Sequence, residues 1–508
     1  MTTRVRDSLA GALSAGIALG ISELIAGLIA DAPSLVEGLG NWVIDNVPTP
    51  VKEWAIAVFG TNDKLVLLIS IAVVTVLIGA VVGLVARTRF WIAVTVFTGF
   101  GVVAVLAALV DPQVTFLDAL IPAALAVVAG LASLRMLYNI SAIDEEASSD
   151  TSKRKFLIGA GAVLGVAALA GTFGRLLIER AKRAVAGRDE VALPSAAEPL
   201  PAVPEAADFE IDGLAQILVP NEDFYRIDTA LSIPRINLLE WTLSITGLVD
   251  QPYTIDFVDL LDMRMIERDV TLSCVSNQVG GGLVGNARWL GVPLTEILDR
   301  AGVQDKAEQI VGRSVDAFTV GFPVEAAYDG REALVAVGMN GEALPFEHGF
   351  PARLVVAGLY GYVSATKWLS EIELTTWDGF DAYWVPRGWA KEAPIKTQSR
   401  IDTPTADNSI AVGDHVVAGV AWAPTRGIQR VEVQLGDQAD WVEAELSEPL
   451  SDNAWVQWKV DWSVTDPGRH QLRCRATDGE GNTQTSEVVP PAPDGATGWH
   501  TRVVTVTA

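Results

Sequence analysis

The sequence predicts a multidomain chain in three parts: an α-helical transmembrane bundle, then an α+β domain, then an all-β sandwich. Three observations carry this. Half of the 508 residues are hydrophobic, and the mean hydropathy of +0.32 is high for a chain that meets only water. The long apolar runs all lie before residue 186, where fourteen basic residues balance fourteen acidic ones, so the whole net charge of −25 sits in the remainder. Beyond residue 208 the apolar pattern shortens to strands and brief helices.

Within residues 1–185 the clearest spans are Lys64–Ala86, Phe90–Val110, Leu117–Tyr138 and Phe156–Ile178. Each holds roughly the 20 apolar residues that cross a hydrocarbon core. Ser8–Ala30 is a fifth span that carries Glu23, or else an interfacial amphipathic helix. Asp31–Asp63, with Trp42, Trp54 and several prolines and acids, reads as a loop with short helices at the aromatic belt. Basic residues lie before the first span (Arg4, Arg6), between the second and third (Arg87, Arg89) and between the fourth and fifth (Lys153, Arg154, Lys155), while the Asp111–Phe116 loop has none. This places the amino terminus in the cytoplasm and everything after Ile178 outside. Arg175, Arg180, Lys182 and Arg183 oppose that bias, but long domains translocate largely regardless of charge. Ser152-Lys153-Arg154-Lys155-Phe156-Leu157 reads either as a positive-inside clamp or as a twin-arginine-like export signal.

Residues 186–208 are a linker rich in Pro, Ala and Glu, semi-extended by Pro194, Pro199, Pro201 and Pro204. Residues 209–402 mix strand patterns (Leu239–Thr246, Val270–Cys274, Ala317–Phe322, Leu334–Val337, Arg353–Val356) with short helices (Phe257–Leu261, Pro293–Ala301). Residues 403–508 alternate strands with turns: Asp414–Trp422, Ile428–Leu435, Trp455–Trp462, Gly468–Thr477 and Trp499–Thr507. That spacing over about a hundred residues predicts an immunoglobulin-like sandwich.

An acidic surface repels phosphates, which sets nucleic-acid binding aside. His348, His415, His470 and His500 all lie in the acidic part, so a membrane b-type haem held by two histidines cannot be built from this chain alone. Two cysteines, Cys274 and Cys474, make neither a disulfide scaffold nor a zinc ribbon. Cys274 ends an apolar strand, Val270-Thr271-Leu272-Ser273-Cys274, and could be a buried small hydrophobe, a nucleophile or a metal ligand. Gly280-Gly281-Gly282-Leu283-Val284-Gly285 matches G-x-G-x-x-G. A dinucleotide fingerprint must open a helix, and Asn286–Pro293 reads as loop, so the glycines are expected instead to bring backbone close to a bound group.

Several motifs occur in order: Phe224-Tyr225-Arg226; Thr271-Leu272-Ser273-Cys274 with Asn277; Gly285-Asn286-Ala287-Arg288-Trp289 leading into Gly291-Val292-Pro293-Leu294; Met339-Asn340-Gly341-Glu342-Ala343-Leu344-Pro345; His348-Gly349-Phe350-Pro351-Ala352-Arg353; and Gly361 through Lys367-Trp368-Leu369. Gly419–Trp422, Arg426-Gly427-Ile428, Arg475–Asp478 and Gly498-Trp499-His500 follow. Over roughly residues 205–508 the chain resembles the sulfite oxidase family of molybdenum–molybdopterin oxidoreductases.

The resemblance implies that residues 209–402 form the molybdopterin-binding domain and residues 403–508 a dimerisation-type domain. It implies Cys274 as the thiolate on molybdenum, and Tyr225, Arg226, Asn277, Asp316, His348, Arg353 and Lys367 as residues holding the pterin and its phosphate. Cys274, Arg226 and Tyr383 are the expected catalytic residues, Tyr383 being the nearest match to the family's active-site tyrosine. The chain departs from the family where Gln278 and Val279 replace a basic residue, and where Val363, Ser364, Ala365 and Thr366 replace a basic stretch. An anion such as sulfite wants several fixed cations, and only Arg226, with Arg288 or Arg387, remains. The expected function is therefore a membrane-anchored, extracytoplasmic oxidoreductase transferring an oxygen atom to or from a small substrate. Alternatives are sulfoxide reductase-like activity on a neutral substrate and a non-catalytic binding or assembly module. A transporter with an appended sensor is a weaker reading, because Glu23 is the one ionisable residue near the middle of a span, whereas Asp118, Arg135 and Arg175 lie near span ends. With no haem expected in this chain, electrons pass through a separate carrier, a cytochrome or a quinone-linked membrane protein. A homodimer through the sandwich is expected from the family.

Overall fold

A computed structural model describes residues 3–29, 32–59, 62–110, 114–143, 149–184, 187–231, 233–234, 236–405, 409–436 and 439–508. Part of the Asp111–Phe116 loop, the first linker residue Ala186, and the side chains of Ser152, Lys153, Arg180, Lys182 and Arg183 lie outside what is described. Two compact units emerge: Met1–Ala186 with Thr229–Arg235, and Gly187–Asp228 with Ile236–Ala508.

The first unit holds α1 (Thr3–Leu28), α2 (Leu35–Asn46), α3 (Thr49–Phe59), α4 (Asp63–Ala86), α5 (Phe90–Ala108), α6 (Phe116–Ile143) and α7 (Ser149–Ala184). Five of these, α1, α4, α5, α6 and the Arg154–Ile178 stretch of α7, are long and apolar enough to cross a membrane. α2 and α3 are the short helices of the Asp31–Asp63 segment. α1 packs mainly against α7, α4 and α6. Its closeness to α4 depends on glycine, because a Cβ on Gly11 would overlap the backbone of Gly79 and Gly83. Small residues four apart let helix backbones approach in this way without a hydrophobic driving force. The two acidic residues of α1 are paired: Asp7 with Arg87 at 2.9 Å and Glu23 with Arg175 at 2.8 Å. Glu23 also accepts from the Ser34 hydroxyl at 2.6 Å, and Arg175 reaches Glu37 at 2.6 Å. Pairing of this kind answers the cost of a carboxylate in an apolar helix.

Among its described residues the second unit is built on four sheets. Its first half contains β1 (Thr242–Gly247), β2 (Tyr253–Asp256), β3 (Ile266–Ser273), β4 (Val284–Pro293), β5 (Gln309–Ser314), β6 (Thr319–Pro323), β7 (Ala333–Met339), β8 (Glu342–Ala343), β9 (Arg353–Val356) and β10 (Leu369–Thr375). One sheet runs β2-β1-β10-β5-β6, with β1 and β10 parallel. The other runs β3-β4-β7-β8, with β9 also on β7. Short helices Phe257–Leu261, Leu294–Ala301, Glu325–Tyr328 and Gly361–Ser364 fill the connections.

β4 corrects the reading of Asn286–Pro293 as loop. Asn286 and Gly291 look like turn residues, but each is satisfied by a distant partner. The Asn286 amide donates to Ile217 O at 2.8 Å and accepts from Thr271 Oγ1 at 3.1 Å. Gly291 sits where a Cβ would press on the backbone of Val335 and Ala336, at a register shift between β4 and β7. The G-x-G-x-x-G run therefore enters a strand and opens no helix, which removes the dinucleotide reading. Trp289, fully buried, anchors the core with Phe224, Leu272, Met339 and Phe350.

The second half contains β11 (Gln398–Thr403), β12 (Ile410–Ala411), β13 (Gly413–Trp422), β14 (Ile428–Leu435), β15 (Trp441–Glu443), β16 (Glu445–Leu446), β17 (Val456–Val464), β18 (Gly468–Asp478) and β19 (His500–Thr507). Sheet β11-β13-β17-β16 and sheet β12-β19-β18-β14-β15 share one core of Ile401, Val417, Val431, Trp458, Leu472 and Val504. β11 pairs with β13, so the expected boundary at Asp402/Thr403 falls inside a strand. The 186–208 linker is pinned rather than free: Ala197 N donates to Met265 O at 2.7 Å, and Leu200 N donates to Glu267 at 2.8 Å. Cys274 and Cys474 are both buried and unpaired.

Candidate active site

Cys274 follows β3 directly and is 8% exposed. Its N–H donates to Leu283 O at 2.9 Å, and the Asn277 side-chain carbonyl accepts from Leu283 N at 2.9 Å. These two bonds close the glycine-rich loop behind the thiol. Cys274 Sγ lies 2.9 Å from Ser276 Oγ. Burial pushes the thiol pKa up, while the Ser276 hydroxyl and amide and the charge of Lys367 pull it down.

A cationic cluster lies near this thiol and acts on it through Lys367. Arg353, on β9, is 4% exposed. Among the described residues its guanidinium donates to carbonyls, His348 O at 3.1 Å and Leu354 O at 3.4 Å, and stands 5.0 Å over the Trp289 ring. Burial lowers its pKa to about 10, with Tyr225 the one opposing influence. Lys367 donates to Asp228 at 3.1 Å and to Glu347 O at 2.9 Å. Burial brings it down to about 8, against the pull of Asp228. Arg226 pairs with the same Asp228 at 2.8 Å. Burial raises Asp316, with Asp228 adding to the rise and Lys367 opposing it, so it belongs to the same neighbourhood.

Tyr225 is partly buried, and burial raises its phenol, with the Cys274 charge adding to it and Arg353 opposing. Phe224 stacks on Tyr225 at 5.2 Å and meets His348 edge-on at 5.4 Å, which fixes both rings. His348 Nε2 bonds to Asn221 O at 3.0 Å. Burial, then Arg353, lowers its pKa to about 4, so it is neutral near pH 7.

The structure thus brings Cys274, Tyr225, Arg226, Asn277, Asp316, His348, Arg353 and Lys367 into one neighbourhood. Tyr383 stands against Phe318 at 5.5 Å, whose N–H donates to Asp316 at 3.2 Å; Trp384 lies 5.2 Å from it and Arg387 is stacked 3.7 Å over its ring. Sequence reasoning missed Asp228, shared by two cations, and Ser276, set on the thiol. It also missed Tyr360, buried beside Lys396 and raised to about 12 by burial. Asp228 had a signal, an acid two residues after Arg226; Tyr360 had none.

Residues 230–384 match the model of the oxidoreductase molybdopterin binding domain, and residues 390–503 match the Mo-co oxidoreductase dimerisation domain. The chain carries a sulfite-oxidase-type molybdopterin oxidoreductase domain. Mitochondrial sulfite oxidase of Rattus norvegicus is 26% identical over 320 residues, 54% of this chain and 58% of that protein. A nitrate reductase [NADH] of Brassica napus is 26% identical over 321 residues, 51% of this chain and 35% of that one. The chain spans less than two thirds of the length of these relatives. The sulfane dehydrogenase SoxCD of Paracoccus pantotrophus shares the fold of this oxidoreductase region, with a TM-score of 0.51 and 24% identity over 59% of this chain and 85% of that one.

The buried neutral imidazole of this domain sets a pH dependence. Above pH ~6.5 neither folded nor unfolded His348 binds a proton, and its contribution is complete. As pH falls toward about 4, the unfolded chain takes up the proton first and stability drops by up to about 3 kcal/mol. Unfolding free energies of the cofactor-free chain between pH 7 and 4 should fall more steeply for wild type than for His348→Gln. Parallel curves would contradict the burial argument.

Proposed function

We propose that residues 209–508 bind molybdenum–molybdopterin, with the Cys274 thiolate on the metal, and transfer an oxygen atom to or from a small neutral substrate. The observation that carries this is the charge balance of the cluster beside the thiol. Lys367 and Arg353 are buried, the more exposed Arg226 shares Asp228 with Lys367, and burial pushes the other carboxylate of the neighbourhood, Asp316, toward its neutral form. A surplus of positive charge beside a thiol fits a phosphate-bearing, dithiolene-bearing group. Lys367, Arg353 and Arg226 would hold its anionic parts. His348 and Tyr225 would offer hydrogen bonds, and Asn277 would hold the loop closed. The bound group supplies a metal that changes oxidation level as oxygen is transferred; the chain supplies its orientation and its exclusion from water.

Four engaged side chains support a neutral substrate. Arg288 is held bidentately by Asp269, both bonds 2.9 Å, and Arg387 lies on Tyr383. In place of the family's basic stretch, Ser364 spends its hydroxyl on Leu359 O and Tyr360 O, and Thr366 spends its own on Gly312 O. Tyr383 and Arg226 are the residues proposed to meet the substrate. Loaded enzyme assayed with artificial electron donors and acceptors should give a higher kcat/KM for sulfoxide reduction than for sulfite oxidation. The reverse ranking would remove the neutral-substrate reading, and no turnover with either would favour a non-catalytic assembly module.

In this reading the five apolar helices anchor the chain, with the amino terminus cytoplasmic and the oxidoreductase domain outside. Residues 403–508 form an immunoglobulin-like sandwich through which two copies associate, and a separate cytochrome or quinone-linked membrane protein exchanges electrons with the site. The bias of Arg4, Arg6, Arg87, Arg89 and Lys153–Lys155 supports the sidedness.

A further inference from the structure

Two residues of the second pair of sheets reach back to the loop behind Cys274. Arg400, on β11, donates from its terminal nitrogen to Gly281 O at 3.0 Å. Its other nitrogens are held by Asp402 at 2.5 and 3.3 Å, and Asp402 itself accepts from Ala215 N at 3.1 Å. The guanidinium is therefore aimed before it meets the loop. His500, at the start of β19, lays its ring against Gly280, where a Cβ would overlap the imidazole. Gly280 has φ +77°, so glycine alone meets both the backbone conformation and the contact.

The ring is fixed in turn. Its Nδ1 accepts from Ile401 N at 2.9 Å, which puts the proton on the other nitrogen. Burial, then Arg502 and Arg400, lowers its pKa to about 4, so it keeps that lone pair near neutral pH. From the loop the coupling runs on by short steps. Gly281 N donates to Gln278 O at 2.8 Å, and a Cβ on Gly281 would crowd Asn277 Oδ1. Asn277 holds Leu283, and Leu283 O holds the amide of Cys274.

We propose that Arg400 and His500 are positioning residues for Cys274, holding its thiol through the Gly280–Gly281 turn in the pose that a metal requires. The catalytic consequence rests on the reading of Cys274 as metal ligand; the mechanical coupling does not. A plain packing contact would change stability and leave the thiol alone, whereas a positioning contact changes the thiol's reactivity.

The test uses the full chain, prepared without cofactor in a Cys474→Ala background, and follows iodoacetamide alkylation of Cys274. His500→Ala and Arg400→Met are expected to raise the rate tenfold or more, and Arg400→Lys to recover part of the restraint. Val504→Ala, in the shared core away from the loop, should leave the rate within twofold. In loaded protein the same two variants should shift the Mo(V) resonance. Rates within twofold of wild type in His500→Ala and Arg400→Met overturn the proposal, as does an equal rise in Val504→Ala. If His500→Ala does not fold, the two Arg400 variants decide. Alkylation that responds as expected in a chain that never binds molybdenum would leave the positioning role standing and remove the metal reading alone.

Discussion

Cys274→Ser is expected to cut turnover by ~10³-fold or more, the scale on which loss of a group at the reacting centre is felt, while the fold persists. Among the described residues the thiol makes one side-chain hydrogen bond, to Ser276 Oγ at 2.9 Å, and a serine hydroxyl of similar size can make it too. Stability of the cofactor-free chain should therefore move by less than about 1 kcal/mol. What is lost is the soft donor. Burial raises the Cys274 thiol even against the Ser276 hydroxyl and amide and Lys367, so the thiolate forms as a metal binds and displaces the proton. A serine alkoxide is not available near pH 7 and is a harder ligand. Thermal midpoints and kcat measured on the same preparations check both halves; a variant with near-normal kcat would remove Cys274 from the chemistry.

Arg353→Met is expected to lower bound pterin tenfold or more while leaving the thermal midpoint of the cofactor-free chain unchanged or raised. A guanidinium that is 4% exposed and bonded, among the described residues, to carbonyls pays its desolvation without a carboxylate. The fall of its pKa to about 10 corresponds to roughly 3 kcal/mol of disfavoured charge. Replacing an uncompensated buried ion by an apolar side chain of similar length is often neutral or stabilising. Packing against Trp289 is retained in part by methionine, whose sulfur also suits an aromatic neighbour. A residue kept for the fold would behave in the opposite sense. Undiminished loading would show that Arg353 does not face the bound anion.

The helices of the first unit were legible because twenty apolar residues in a row have few other readings. The partners of Glu23 were not, since Arg175 lies on α7 and Ser34 caps α2, and nothing in the local pattern around Glu23 announces either. The same limit explains β4: Asn286 and Gly291 carry turn signals locally, and only Ile217, Thr271 and Val335 reveal why they stand in a strand. At the site, motif order pointed to Tyr225, His348, Arg353 and Lys367, while Asp228, which ties two of the cations together, has no local sign of its second partner, Lys367. Arg400 and His500 lie more than a hundred residues beyond Cys274, and their role is visible only where β11 and β19 bring them to the glycine turn.

The most direct measurement is the molybdenum and pterin content of the wild-type full chain, matured in a host that loads a control molybdoenzyme. The charge balance around Cys274 predicts about one of each per chain. A folded chain that carries neither would contradict the account.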